Sequence, residues 1–263
     1  MRAALLALTA ALLAGPAVAQ APAPAPTPEK ATPTTPEELP KVPWSFNGPF
    51  GTVDRASAQR GFQVYKEVCS NCHSMKYLYY RNLSALGFSQ PEIVAIAASV
   101  QVPGDLDDSG QPTERPGKPS DHFRSPFPND AAARAANGGA LPPDQSLLVN
   151  AREDGANYID ALLQGYQDAP ASFPIAEGRY YNIYFPGRQI AMPPPLSDGQ
   201  VTYADGTKAT VAQMAHDVTT FLTWAANPEM EQRKREGVKA VLFLVFLTGL
   251  TVAVKKKIWK DVH

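Results

Sequence analysis

Apolar positions along this chain fall into two kinds of pattern. Near the two ends they form dense runs without a charge, Ala3 to Ala14 and Ala240 to Val254. Between the ends they recur at helical spacing. Ala58, Phe62, Tyr65 and Val68 predict a helix capped by Asp54, with Gly61 permitting close approach of another element. Tyr158, Ile159, Leu162 and Leu163 predict a shorter helix over Asn157 to Gln164, before Gly165. Val211, Met214, Val218, Phe221, Leu222 and Ala225 predict a third over Thr210 to Ala226, which stops where Asn227 precedes Pro228. Sustained alternation of period two is scarce and no internal repeat occurs. The pattern predicts a mainly α protein with long irregular connections.

The terminal runs address the chain to a membrane. Arg2, the apolar run and Ala17-Val18-Ala19 before Gln20 have the charge, length and small-residue cleavage pattern of a secretory signal. A short N-terminal anchor is the alternative, and the run breaks early for that, at Gly15-Pro16. At the other end, eighteen residues from Gly237 to Val254 carry one charge, Lys239, which can snorkel to the interface. A buried soluble helix would need a polar face, and this segment is apolar all round before Lys255-Lys256-Lys257 and Trp259. Four basic residues precede the span and four follow it, so charge counting does not orient it. The signal does: an exported body leaves the C-terminus in the cytoplasm.

Composition sharpens this picture at two points. The chain has 26 prolines among 263 residues, and nine of them fall within residues 20–49. Such a stretch reads as an extended tether, with order beginning near Trp44 to Phe50. A second proline-rich, polar stretch over Val102 to Pro128 reads as a loop. The formal net charge of -1 conceals an acidic body: residues 20–238 carry 18 Lys+Arg and 24 Asp+Glu, a net of -6. That balance argues against nucleic-acid binding and favours basic partners by long-range steering.

Only two cysteines occur, which excludes a disulfide framework and any four-cysteine metal site. Both lie in Cys69-Ser70-Asn71-Cys72-His73. The spacing C-x-x-C-H is the covalent attachment pattern of a c-type haem: two thiols on one helical turn meet two vinyl groups, and the next histidine lies beneath the iron. A redox dithiol would want a βαβ setting, and a zinc site two further ligands; the sequence provides neither. For the sixth position Met192 is the candidate, in Ile190-Ala191-Met192-Pro193-Pro194-Pro195-Leu196, where three prolines fix the backbone beside it. The alternative is an ordinary packed loop methionine. Met75 is too near His73, Met214 reads as core, and Met230 adjoins the charged membrane approach. Histidine–methionine ligation fills both axial positions, raises the reduction potential and leaves an electron carrier. His122 or His216 as a displaceable ligand would instead suit a peroxidase or ligand sensor.

Several blocks resemble the cytochrome c1 family, the haem subunits of ubiquinol–cytochrome c reductase. They are Arg60-Gly61-Phe62-Gln63-Val64-Tyr65 ahead of the cysteine motif, Ala133 to Asp144, Tyr184-Phe185-Pro186-Gly187, Ile190 to Leu196, and Trp224-Ala225-Ala226 before the terminal span. The resemblance runs from about Trp44 to the end, in the family's order. It implies a class I cytochrome c-like helical core with long loop insertions and one C-terminal transmembrane helix. By similarity, one haem c is bound covalently through Cys69 and Cys72 and ligated by His73 and Met192. It also implies that the Pro143 carbonyl accepts the proximal imidazole N–H and that Arg152 pairs with a haem propionate, a surface arginine being the alternative. The Ala/Pro tether is unusual for such proteins, and no extra cysteine pair clips the methionine loop.

The function so implied is a relay of single electrons from the Rieske iron–sulfur protein to a soluble cytochrome c, beside cytochrome b in the bilayer. The chain would not be an enzyme alone. The alternative is a tethered cytochrome that feeds a terminal oxidase or reaction centre directly. The expected organisation is a signal peptide over residues 1–19, a tether over 20–43, a periplasmic haem domain over 44–236, an anchor in the bacterial inner membrane over 237–257, and a cytoplasmic tail over 258–263.

Overall fold

The computed structural model describes residues 37–261. The expected signal peptide, most of the tether, and Val262 and His263 lie outside the described residues. Six α-helices follow one another: α1 Arg55–Glu67, α2 Gln90–Ala98, α3 Asp130–Ala136, α4 Gly155–Gln164, α5 Val211–Ala226 and α6 Met230–Ile258. Two small antiparallel pairs accompany them, β1 Gln101–Leu106 with β2 Pro112–Pro116 and β3 Tyr180–Tyr181 with β4 Gln189–Ile190. The molecule is mainly helical.

The core is organised by the crossing of α1 and α5. The Asp54 carboxylate caps α1 by accepting the Ala56 and Ser57 N–H groups at 2.9 and 3.1 Å. Thr210 does the same for α5, accepting from the Gln213 N–H at 3.1 Å. At the crossing a Cβ on Gly61 would lie 2.0 Å from the Asp217 carbonyl oxygen, so only glycine lets the two backbones approach this closely. Phe62 and Tyr65 of α1 pack on Phe221 of α5 with ring centroids 5.6 and 5.7 Å apart. Phe221 is fully buried; a side chain of that size contributes about 2–3 kcal/mol by burial.

A charged network closes the same crossing. Asp217, with no exposure, accepts hydrogen bonds from the Ser57 hydroxyl at 2.7 Å and from the Arg60 guanidinium, Nε and Nη2, at 2.9 Å each. Gln213 Nε2 adds a fourth donor at 3.1 Å. A buried carboxylate needs this degree of satisfaction. On the far side, Asn157 Oδ1 of α4 accepts from the Trp44 indole N–H at 2.8 Å and the Val42 N–H at 3.2 Å, which ties the segment before α1 to the bundle.

Two stretches differ from the sequence reading. Val102 to Pro128, expected as a loop, contains the β1–β2 hairpin. Its tip turns on Asp107, whose Oδ1 accepts from the N–H groups of Ser109 and Gln111 at 2.8 Å each. A helical turn at Tyr80–Leu86 and helix α2 also precede the hairpin, without having been predicted.

The last helix runs unbroken from Met230 through the apolar run, so it begins seven residues before the expected anchor. Its 29 residues span about 43 Å at ~1.5 Å per residue, more than the roughly 30 Å hydrocarbon thickness. Its most apolar window has a mean hydropathy of 2.2, and none of that window is buried. Such a helix has no water-soluble partner surface and is a membrane span.

Candidate functional site

The cysteine motif follows α1 directly. Cys69 to Asn71 form a single 3-10 turn, and the Cys72 and His73 N–H groups both donate to the Cys69 carbonyl, at 3.1 and 2.8 Å. The tightened turn brings the two thiols onto one side of the chain end. Cys69 is half-buried and Cys72 exposed, and neither forms a disulfide. Burial, helped by the neighbouring Cys72, pushes the Cys69 thiol up to about 12. A redox dithiol needs the opposite, a thiol with a depressed pKa.

His73 is buried, and its ring orientation is fixed by one contact: Nδ1 lies 2.8 Å from the Pro143 carbonyl oxygen. A carbonyl only accepts, so Nδ1 carries the proton and Nε2 presents its lone pair. Burial lowers the imidazole pKa below its ordinary value, against the pull of the Pro143 carbonyl and the nearby Asp144. A neutral ring with a free Nε2 is the form that ligates a metal.

Asp144 holds the Pro143 loop in place. Its Oδ2 accepts from the Ser74 hydroxyl at 2.7 Å and the Lys76 N–H at 2.9 Å, and its Oδ1 from the Ser146 N–H at 2.9 Å. Burial pushes this carboxyl up, but the hydrogen bonds from Ser146, Lys76 and Ser74 outweigh it and hold the group below its usual value. The Gln145 N–H adds a backbone bond to the Ser74 carbonyl at 2.8 Å. Thus the residue after the motif histidine and the two residues after Pro143 are stitched together. The sequence reading missed this clamp, whose signal was Asp144 within the Pro-Pro-Asp run.

Met192 follows β4 and is half-buried. Its carbonyl accepts from the Tyr166 hydroxyl at 3.1 Å, and the pairing of Tyr180 with Ile190 and Tyr181 with Gln189 fixes the chain just ahead of it. The methionine loop is therefore held by the segment after α4 as well as by Pro193 to Pro195. Arg152 is exposed and donates to the Ala151 carbonyl at 2.9 Å. It lies near enough to Tyr158 to oppose the upward shift that burial imposes on that phenol.

Among the described residues, the remaining histidines and methionines are engaged elsewhere. His216 stacks on Trp44 with ring centroids 4.7 Å apart, and His122 on Tyr79 at 3.9 Å. Met214 and Met75 are fully buried in the core, and Met230 packs against it. Among the described residues no three His, Cys, Asp or Glu side chains gather as a separate metal site. A cleft of about 580 Å³ along the β1–β2 hairpin is lined by Arg115, Asp121, His122 and Arg124 and includes none of Cys69, Cys72, His73, Pro143, Arg152 and Met192.

The neutral imidazole with one nitrogen committed, beside two thiols in one short motif, fits a haem iron. The comparisons agree with that chemistry. The model of the Cytochrome C1 family matches residues 44–262. Cytochrome c1 of Rhodospirillum rubrum is 51% identical over 240 residues, covering 85% of this chain and 88% of that protein. A mitochondrial cytochrome c1 heme protein of Solanum tuberosum is 52% identical over 207 residues, 79% of this chain and 80% of the relative. Cytochrome b/c1 of Bradyrhizobium diazoefficiens is 49% identical over 249 residues; the match covers 86% of this chain but spans only 36% of that longer relative. Among the described residues α6 is the one helix long and apolar enough to cross a membrane. The chain belongs to the cytochrome c1 family of haem-bearing electron-transport proteins.

Proposed function

We propose that this protein is the membrane-anchored c-type cytochrome of a ubiquinol–cytochrome c reductase. In this reading it takes single electrons from a Rieske iron–sulfur protein and passes them to a soluble cytochrome c, and cytochrome b is its neighbour in the bilayer. The observation that carries the reading is the 2.8 Å contact between His73 Nδ1 and the Pro143 carbonyl, because it prepares Nε2 as a ligand. The bound haem supplies a reversible one-electron couple. Cys69 and Cys72 would hold it through two thioethers, with His73 and Met192 as axial ligands.

The chain's own residues do the rest. Pro143 and the Asp144 clamp keep the imidazole in one tautomer and one orientation, which limits reorganisation when the charge at the centre changes. Tyr166 and the β3–β4 pairing support the weak thioether ligand from behind. With His73 and Met192 both holding the iron, oxygen and peroxide would find no open position. Arg152 would neutralise a propionate at the exposed side. The body lies outside the cytoplasm and the C-terminus inside it, in keeping with a signal over 1–19, a tether over 20–43, a haem domain over 44–236, an anchor over 237–257 and a tail over 258–263. On its own the chain catalyses nothing; it is the electron-transfer subunit of the complex.

Replacing Met192 with Leu tests the site directly. The expected outcome is loss of the weak red-end band of methionine-ligated ferric haem and a large fall in reduction potential, with the haem still attached after acid–organic extraction. An unchanged spectrum and potential would remove Met192 from the site. Release of the pigment from the wild-type protein on extraction would remove the thioethers.

A further inference from the structure

Phe50 is 79% exposed, more than any other large apolar side chain among the described residues, those of the span included. It does not sit on a loose loop. Its turn is closed by the Asn47 N–H to the Trp44 carbonyl at 3.0 Å and by the Thr52 N–H to the Ser45 carbonyl at 3.1 Å. A Cβ on Gly51 would lie 2.1 Å from the Asn47 oxygen, so the turn requires glycine there. Trp44 and Phe46, just before it, are buried in the core.

This rigid turn is strapped to the start of the membrane helix. Lys234 Nζ donates to the Phe46 carbonyl and, at 3.1 Å, to the Gly51 carbonyl. Immediately beyond, the Val53 N–H and the Arg55 guanidinium both bond the Glu231 carboxylate at 2.9 Å. Lys234 precedes Gly237 by three residues and Ala240 by six. At ~1.5 Å per residue it stands about 5 to 9 Å above the start of the apolar run. The headgroup layer of one leaflet is itself about 5–8 Å deep. Arg233 and Arg235, both exposed, flank Lys234 on the helix and suit lipid phosphates, while the exposed Lys239 ammonium pairs with Glu236 at 2.9 Å.

We infer that the Phe46–Gly51 turn is a second membrane contact, with the Phe50 ring seated among phospholipid headgroups beside the span. The occupant is the phospholipid interface. An aromatic ring belongs at that depth, and its insertion there removes the exposed apolar surface from water. Held at both the span and the turn, the body keeps a fixed tilt over the bilayer. The inference rests on α6 being the membrane span.

The test uses the haem-loaded full chain in vesicles of phosphatidylethanolamine and phosphatidylglycerol. A nitroxide is attached at Phe50→Cys, at Val245→Cys within the span, and at Leu106→Cys on the hairpin. If Phe50→Cys loses its haem spectrum, Pro49→Cys replaces it. The expected result is an oxygen-to-nickel-chelate accessibility ratio at position 50 roughly twofold or more above that at 106, and below that at 245. Adding Lys234→Met should lower the ratio at 50 toward that at 106. A lipid-like 245 with a water-like 50 overturns the inference. So does a label at 50 that is water-like in vesicles and immobilised only in the assembled complex, since a protein neighbour would then be the occupant. A water-like 245 overturns the membrane-span reading itself, and this inference with it.

Discussion

One side chain in the body is held at odds with its chemistry. Asp160 on α4 is 6% exposed; its Oδ2 accepts from the Gln164 Nε2 at 2.8 Å, while its Oδ1 has no partner. Burial pushes its carboxyl up to about 6, and the Gln164 bond only partly offsets that. A carboxyl with a raised pKa in the folded state binds its proton more tightly there than in the unfolded chain. Its ionisation therefore lowers stability as pH climbs from the ordinary carboxylate range to about 6. Asp160→Asn is expected to raise stability above that pH by on the order of 2 kcal/mol and to bring no gain below about pH 4. Denaturant midpoints of the haem-loaded protein at pH 7 and pH 4 would show it, and equal shifts at both would sink the argument. No spacing or motif singles out this residue. The cysteine motif, by contrast, was legible, because the spacing of two thiols and an imidazole states a geometry by itself. Pro143 was legible only through resemblance, since a backbone carbonyl leaves no mark in a side-chain pattern.

At the scale of elements, the helices with a long buried stripe could be read from spacing, and those without one could not. The predicted α1 and α5 carry their apolar residues every three or four positions, because each faces the other over most of its length. Helix α2 buries only Ile93 and Ala97. Its usable signal was the Ser89 to Glu92 capping box, in which Glu92 accepts from both the Ser89 N–H and its hydroxyl at 2.7 and 2.6 Å. The β1–β2 hairpin escaped because Pro103, Gly104 and Pro112 interrupt any alternation. The crossing of α1 and α5 supplies the prediction that belongs here. Gly61→Ala places a methyl against the unyielding Asp217 backbone, so the helices must separate and the Arg60–Asp217 bonds lengthen. The expected loss is about 3 kcal/mol or more, combining overpacking with a weakened buried ion pair, and denaturant unfolding measures it. An unchanged midpoint would mean that the crossing relaxes freely. Because α1 ends in the cysteine motif, a shifted haem spectrum is expected to accompany the loss.

The whole molecule carries its charge unevenly, acidic in the body and basic on both flanks of the span. If the acceptor is the basic soluble cytochrome proposed above, electron transfer to it is expected to slow steadily as ionic strength rises through ~0.1 M, where the screening length is about 10 Å. Flash-initiated kinetics over a salt series measures this, and a rate indifferent to salt would remove electrostatic steering from the account. The join between α5 and α6 has a larger consequence. Only Asn227, Pro228 and Glu229 separate the last core helix from the membrane helix, and the Glu231 and Lys234 bonds brace that corner. A cytochrome mounted so stiffly is a station and not a ferry. Under the proposed function its redox centre would keep one height above the lipid, and any distance between donor and acceptor would be travelled by the carriers that visit it.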